Sequence, residues 1–213
     1  MRPGVSFKSD RGETMMAFNI IITGIGGQGV VSAGTMIAEA ALAEGLRIRS
    51  SDATGLAQRG GSVHSQIKIG EQVSSAILHT GTADVVLGFE PLEASRWAHM
   101  LKRDGVAIVN SNPVYPVTVK NGMLRYPDIE EQKKVFDERG ARSIWLDGHA
   151  LTEKIGNMRV LNSIMIGFTA AKTKIPIGLD TLRRVIAEKV PSRTIEVNLK
   201  AFDMGYKVGS EEP

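Results

Sequence analysis

Phe18-Asn19-Ile20-Ile21-Ile22-Thr23-Gly24-Ile25-Gly26-Gly27-Gln28-Gly29, continuing as VVSAGTMIAEAALA from Val30 to Ala43, is the stretch on which the fold turns. An apolar run rich in β-branched residues comes first, then a cluster of glycines, then a small-residue apolar segment without proline. That order reads strand, tight turn, helix. Gly24, Gly26 and Gly29 match the spacing G-x-G-x-x-G. The first glycine allows the turn, the second lets backbone approach a ligand, and the third lets helix and strand pack closely. Amides at the start of the helix then face whatever lies over the turn, and their partial positive charge favours an anion, typically a phosphate. Such a turn also serves simply to seat the first helix on the sheet, and the residues alone leave both uses open.

The chain has 213 residues, room for one substantial α/β domain with a helical appendage. Its hydrophobic fraction of 42% and charged fraction of 23% are those of an ordinary globular protein. The net charge of +3 is spread along the chain. It tolerates phosphate ligands and makes no case for nucleic acid. There is no cysteine, so this chain offers no disulfide, no cysteine-held zinc and no iron–sulfur cluster. That fits a reducing compartment, and the cytoplasm is the expected location. No apolar run approaches the roughly 20 residues of a membrane helix. The opening MRPGVSFKSDRGETMM carries charge and lacks a signal-peptide core. It reads as a disordered extension over residues 1–16, ahead of a single domain over 17–208 and a short tail over 209–213.

Beyond the first helix, Leu46–Ser50 alternates apolar and polar and reads as a second strand. Asp52 lies 23 positions past Gly29, near where a dinucleotide fold places the acid that holds ribose. With Arg47, Arg49, Ser50 and Ser51 before it, this segment suits either a ribose phosphate or a solvated strand edge. The segment Asp52–Ser65, DATGLAQRGGSVHS, is the second informative stretch. Its glycines cup polar atoms with backbone amides, and Arg59 is suited to hold a carboxylate or phosphate through two parallel hydrogen bonds. A plain surface hairpin is the alternative. A strand follows from Ser62 to Ile69. His64, within it, has no histidine or cysteine at ligand spacing, and a packed strand residue is the simpler reading.

A short strand is expected at Ser74–Leu78 and a buried parallel one at Ala83–Phe89. Glu90-Pro91 opens a helix running to Met100. Glu90 and Glu93 there are either acid–base groups or acids that complement the helix dipole. Arg103-Asp104-Gly105 reads as a turn into a strand at Val106–Asn110. Asn121-Gly122, flanked by Val117–Val119 and Met123–Tyr126, signals a β-hairpin. Asp128 caps a helix through Glu138, Ala141–Leu146 is a strand, and Asp147 caps the next helix. From Asn157 on the chain is helical: Val160–Lys172, Leu179–Glu188 and Ser192–Tyr206. Ile195, Leu199, Phe202 and Tyr206 make an apolar stripe there. Asn162, Asn198 and Asp203 are the odd polar groups. No HExxH, G-x-S-x-G or P-loop motif occurs.

Five segments together resemble one family. They are TGIGGQGVVSAG at Thr23–Gly34, GLAQRGGSVHSQIKIG at Gly55–Gly70, ADVVLGFEPLEASR at Ala83–Arg96, YPDIEE at Tyr126–Glu131 and EVNLKAFDMGY at Glu196–Tyr206. The chain resembles the gamma subunits and domains of 2-oxoacid:ferredoxin oxidoreductases. The AQRGG segment and the ending favour the indolepyruvate branch, where the counterpart is the small, beta subunit. The resemblance implies a Rossmann-like three-layer α/β domain with a mostly parallel sheet, carrying the β-hairpin insertion and C-terminal helices read above. It implies oxidative decarboxylation of a 2-oxoacid to its acyl-CoA with reduction of ferredoxin, the substrates being aryl pyruvates in this branch. Thiamine diphosphate, magnesium and iron–sulfur clusters would belong to a large partner subunit, with coenzyme A as co-substrate. No catalytic or metal-binding residue is expected in this chain, and it is not expected to be active alone. Gly24, Gly26, Gly27, Gln28 and Gly29 would contact a phosphate or a partner carboxylate. Gln58, Arg59, Gly60 and Gly61 would lie at the inter-subunit cleft. Two other readings remain: a stand-alone NADP-binding oxidoreductase, and the gamma subunit of a 2-oxoglutarate or pyruvate enzyme.

Overall fold

The computed structural model describes residues 17–55, 60–71 and 73–211. Six strands form one sheet: β1 (Phe18–Ile25), β2 (Ile48–Thr54), β3 (Ser62–Ile69), β4 (Ala83–Gly88), β5 (Leu101–Asn110) and β6 (Arg142–Leu146). Their order is β2-β3-β1-β4-β5-β6. β1, β4, β5 and β6 are parallel, and β3 runs antiparallel to both its neighbours, β1 and β2. The sheet is thus mixed but mostly parallel. Its helices are α1 (Val30–Ala43), α2 (Pro91–Arg96), α3 (Val117–Lys120), α4 (Ile129–Asp137), α5 (Gly148–Ile155), α6 (Leu161–Lys172), α7 (Leu179–Lys189) and α8 (Ile195–Glu211).

The strand period of two divides the apolar runs between two cores. Ile20, Ile22, Val85, Leu87 and Ile108 point to a large core shared with α1, α5, α6, α7 and α8. Ile21, Val86, Ala107 and Val109 point to a smaller one built with Ala94, Ala98 and Phe136 of the opposite face. That is why Ile20, Ile21 and Ile22 are all fully buried, and it yields the three-layer architecture.

Asp128 closes the N-terminus of α4 in a capping box with Glu131, and Asp147 caps α5 through the Ala150 amide. Elsewhere the structure departs from the sequence reading. The β-hairpin insertion expected around Asn121-Gly122 is absent. Val117–Lys120 makes one helical turn, and Gly122 closes it at φ +71°, with Met123 and Leu124 amides donating to the Thr118 carbonyl. An Asn-Gly pair supplies the left-handed residue of a helix end as readily as that of a hairpin. The hairpin the fold does contain is β2–β3. Its pairing, Ile48 opposite Ile69 and Thr54 opposite Val63, draws Ser51–Thr54 into the second strand. Ser74–Leu78 is a loop rather than a strand, because β3 already has a partner on each edge. Its Leu78 amide donates to the Gln66 side chain instead. Arg103–Gly105 lies inside β5, where Asp104 has φ 62° and the ladder with β4 shifts register. The helix after Glu90 stops at Arg96 and resumes as a single 3-10 turn at Ala98–Met100. At the other end α8 continues through Glu211, into the expected tail.

Candidate functional site

Every strand except β3 ends at the same edge of the sheet, and the glycine turn sits there at the tip of β1. In open α/β sheets this carboxyl edge is where ligands bind. The turn is held from three sides. Gln28 folds back so that its side-chain oxygen accepts from the Ile25 amide at 2.9 Å, while its Nε2 donates to the Phe89 carbonyl at 3.1 Å. Asn110, from the end of β5, donates to the same carbonyl at 3.0 Å. The Gly26 amide donates to the Gly61 carbonyl at 2.8 Å, and the Gly60 amide reaches the Gly26 carbonyl at 3.5 Å. Gly29 is the N-cap of α1, left-handed at φ 85°, with no side-chain cap. A side chain there would be strained, and its Cβ would lie 2.8 Å from the Asn162 amide nitrogen of α6. The first-turn amides of α1 have no partner within the helix itself.

A cavity of about 420 Å³ opens over this helix start. Gly26, Gly27, Gly29, Val31 and Ser32 line one side, and Thr54 and Gly55 of the hairpin line the other. A second cavity of about 330 Å³ lies across the tip of β1, lined by Gly60, Ser62, Glu90, Glu93, Tyr115 and Tyr126 among others. Glu90 and Glu93 are both buried there. Glu90 accepts from the Glu93 amide, the Val114 amide and the Tyr126 hydroxyl. Glu93 accepts from the Ser62 hydroxyl and from Arg96. With their oxygens so engaged, these carboxylates act in the fold as anchors rather than as free acid–base groups. Burial, and then the hydrogen bond and charge of Glu90, hold the Tyr126 phenol well above its usual range.

The structure therefore brings Gly24–Gly29 and Gly60–Gly61 together at one edge. It assigns Gln28 and the Gly26 amide to holding the turn in place, and leaves the start of α1 to face the cavity. Gly24 lies inside β1 opposite Val63. Gln58 and Arg59 lie outside the described residues. Ser62, Tyr126 and Asn162 stand out in the sequence, but no motif spacing gives their partners, since each meets its own from a distant element. Asp52 sits on β2, with β3 inserted between it and β1. Two strand spacings, about 10 Å, separate β1 from that strand. The adjacent parallel pair that carries the ribose acid in dinucleotide folds does not form here, which removes the basis for a stand-alone NADP site. Among the described residues, no group of three His, Cys, Asp or Glu side chains is placed to hold a metal ion, and no helix is long and apolar enough to cross a membrane.

His64 projects to the opposite face and packs on Trp97, with ring centroids 4.2 Å apart. Burial pushes its pKa below the usual 6.5, against a smaller upward pull from Asp52. An unfolded chain takes up this proton near pH 6.5 while the folded one resists it. The stability this site contributes is therefore present above pH 6.5 and lost as pH falls below it. The stability gap between the wild type and His64→Gln is expected to narrow from pH 7 to pH 5.5 in urea titrations; a constant gap would refute the assignment.

Fold and site together define an α/β domain whose glycine turn meets Gly60 and Gly61 at one sheet edge. The chain belongs to the pyruvate ferredoxin/flavodoxin oxidoreductase family, whose model matches residues 19–208. It is similar to the indolepyruvate oxidoreductase subunit IorB of Thermococcus kodakarensis, 37% identical over 92% of this chain and 98% of that one. The IorB of Pyrococcus horikoshii is 36% identical over the same shares, 92% and 98%. Among solved structures, the pyruvate oxidoreductase subunit PORC of Thermotoga maritima superposes with a TM-score of 0.69. It covers 90% of this chain and 96% of its own at 24% identity, a likeness of fold.

Proposed function

We propose that this chain is the non-cluster-bearing subunit of a 2-oxoacid:ferredoxin oxidoreductase of the indolepyruvate type, assembled with a large subunit that carries thiamine diphosphate, magnesium and iron–sulfur clusters. The complex would cleave an aryl pyruvate to carbon dioxide and an aryl-acyl-CoA, passing the released electron pair to ferredoxin. The observation that carries this reading is the meeting of two glycine segments at the carboxyl edge, Gly26 bonded to Gly60 and Gly61 beside a cavity that Gly26, Gly27 and Gly29 line, in a chain that matches IorB relatives over nearly its whole length. The role is positioning. The uncapped start of α1 suits a phosphate or diphosphate of coenzyme A, or a partner carboxylate. With no cysteine, the chain depends on a companion for its clusters. Val114, Tyr115, Val117, Met123 and Leu124 are exposed along the same edge. That apolar strip supports the large subunit covering it.

Co-expression with the large subunit should yield a complex that reduces a dye only when aryl pyruvate and coenzyme A are both supplied. Turnover by the chain alone, or failure to assemble, would overturn the proposal. In that complex Arg59→Ala is expected to lower kcat/KM for coenzyme A about tenfold to a hundredfold, the worth of one charge-assisted pair, while the isolated chain keeps its melting temperature. Unchanged kinetics would remove Arg59 from the cleft.

A further inference from the structure

Glu93 is an unusual residue for its position. It lies in the first turn of α2 and is only 5% exposed. Burying a carboxylate is costly unless it is paired and hydrogen-bonded. Its two oxygens are divided: one accepts from Arg96 at 2.9 Å, the other from the Ser62 hydroxyl at 2.6 Å. Ser62 opens β3 directly opposite Ile25, the last residue of β1. Its carbonyl accepts the Gly55 amide at 3.0 Å, and its neighbour Gly61 accepts the Gly26 amide at 2.8 Å. This corner is also the wall between the two cavities. Ile25 lines both, Gly26 and Gly55 line the larger one, and Gly60 and Ser62 the smaller.

We propose that Glu93 is a positioning residue, which through Ser62 clamps the Gly60–Ser62 wall against the glycine turn and so sets the shape of the cavity at the start of α1. This deepens, and rests on, the reading of that edge as the coenzyme-facing one. Backbone bonds alone leave the corner at the frayed end of a ladder, next to Gly60 at φ 76°. A charge-assisted bond from a rigid helix is what removes that freedom. A glutamate serving only the dipole of α2 makes different demands. Aspartate would replace it, and the hydroxyl of exposed Ser62 would be dispensable.

The test uses Ser62→Ala, Glu93→Gln and Glu93→Asp in the full chain, read by amide exchange, and then in the complex with the large subunit. Ser62→Ala and Glu93→Asp are expected to speed exchange at Gly26 and Gly55 at least tenfold, with Ile20–Ile22 unchanged. Glu93→Gln, which keeps an acceptor within reach, should give a smaller effect. In the complex, Ser62→Ala should raise KM for coenzyme A several-fold with kcat held within twofold. Three results would overturn the clamp: unchanged exchange at Gly26 in Ser62→Ala, uniformly faster exchange across the chain, or local loosening with KM unmoved. A wild-type complex without coenzyme-dependent turnover would instead strike the functional reading, while the exchange data still decide whether Glu93 holds the wall.

Discussion

Gly167→Ala is expected to destabilise the chain by about 3 kcal/mol or more, a fall of roughly 10 °C in melting temperature for a domain of this size. Elementary helix propensity forecasts the opposite sign, since alanine is favoured over glycine inside a helix by about 1 kcal/mol. The geometry decides. A Cβ on Gly167 of α6 would lie 2.1 Å from the Phe202 carbonyl oxygen of α8. Reciprocally, a Cβ on Gly205 of α8 would lie 2.1 Å from the Ile164 carbonyl oxygen of α6. These obstacles are backbone, so no side chain can swing away; the helices must part. Parting them loosens Ile164, Met165, Phe168 and Phe202, all buried in the larger core. Thermal unfolding of Gly167→Ala and Gly205→Ala measures the effect. A variant as stable as the parent would mean that α8 does not sit backbone-to-backbone on α6.

That contact also shows where reading the residues stops. The apolar runs at Ile20–Ile22 and Val85–Leu87 declare themselves, because a strand sorts its side chains locally and both neighbours in sequence must be apolar for both cores. The caps at Asp128 and Asp147 are equally local, each side chain bonding an amide three residues on. Gly167 and Gly205 carry no such mark: a glycine inside a helix looks like a small loss of propensity until the partner helix is placed. The insertion of antiparallel β3 between β1 and β2 is likewise a non-local choice, and Asp52 suits a ribose acid only in a sheet with β2 directly beside β1. At the site, the glycine spacing is enough to place a turn between β1 and α1. The task of Gln28 was not visible, since the same amide suits a phosphate or its own backbone, and only the position of Phe89 decides between them. The bond from Ser62 to Glu93 spans 31 residues of sequence, with no spacing rule to suggest it. Asn121-Gly122 failed for a different reason: one local signal fits two backbone solutions.

Glu90→Ala should cost about 2–4 kcal/mol and release the segment from Val114 to Tyr126. Glu90 is 2% exposed and gathers three donors: the Glu93 amide at 3.0 Å, the Val114 amide at 3.2 Å and the Tyr126 hydroxyl at 2.5 Å. Tyr126 in turn accepts the Leu92 amide at 3.2 Å. One carboxylate thus ties both ends of the segment from Val114 to Tyr126 to the start of α2. Truncation relieves the cost of a buried charge but strands the donors, and the adjoining cavity lets water repair only part of the loss. Glu90→Gln keeps one oxygen for Tyr126 and Val114 but sets an N–H₂ group toward the Glu93 amide, so about half the penalty of the alanine variant is expected. Alkaline pH offers an independent readout. The phenol is held above its usual value near 10, so the unfolded chain loses this proton first, and the stability it contributes is lost as pH rises beyond 10. The hydrogen bond and charge of Glu90 are two of the causes of that shift, so in Glu90→Ala the Tyr126 phenol should ionise at lower pH than in the parent, read by its absorbance near 295 nm. Unchanged phenol titration together with unchanged protection of the Val114 amide would show that the loop is held by something other than Glu90.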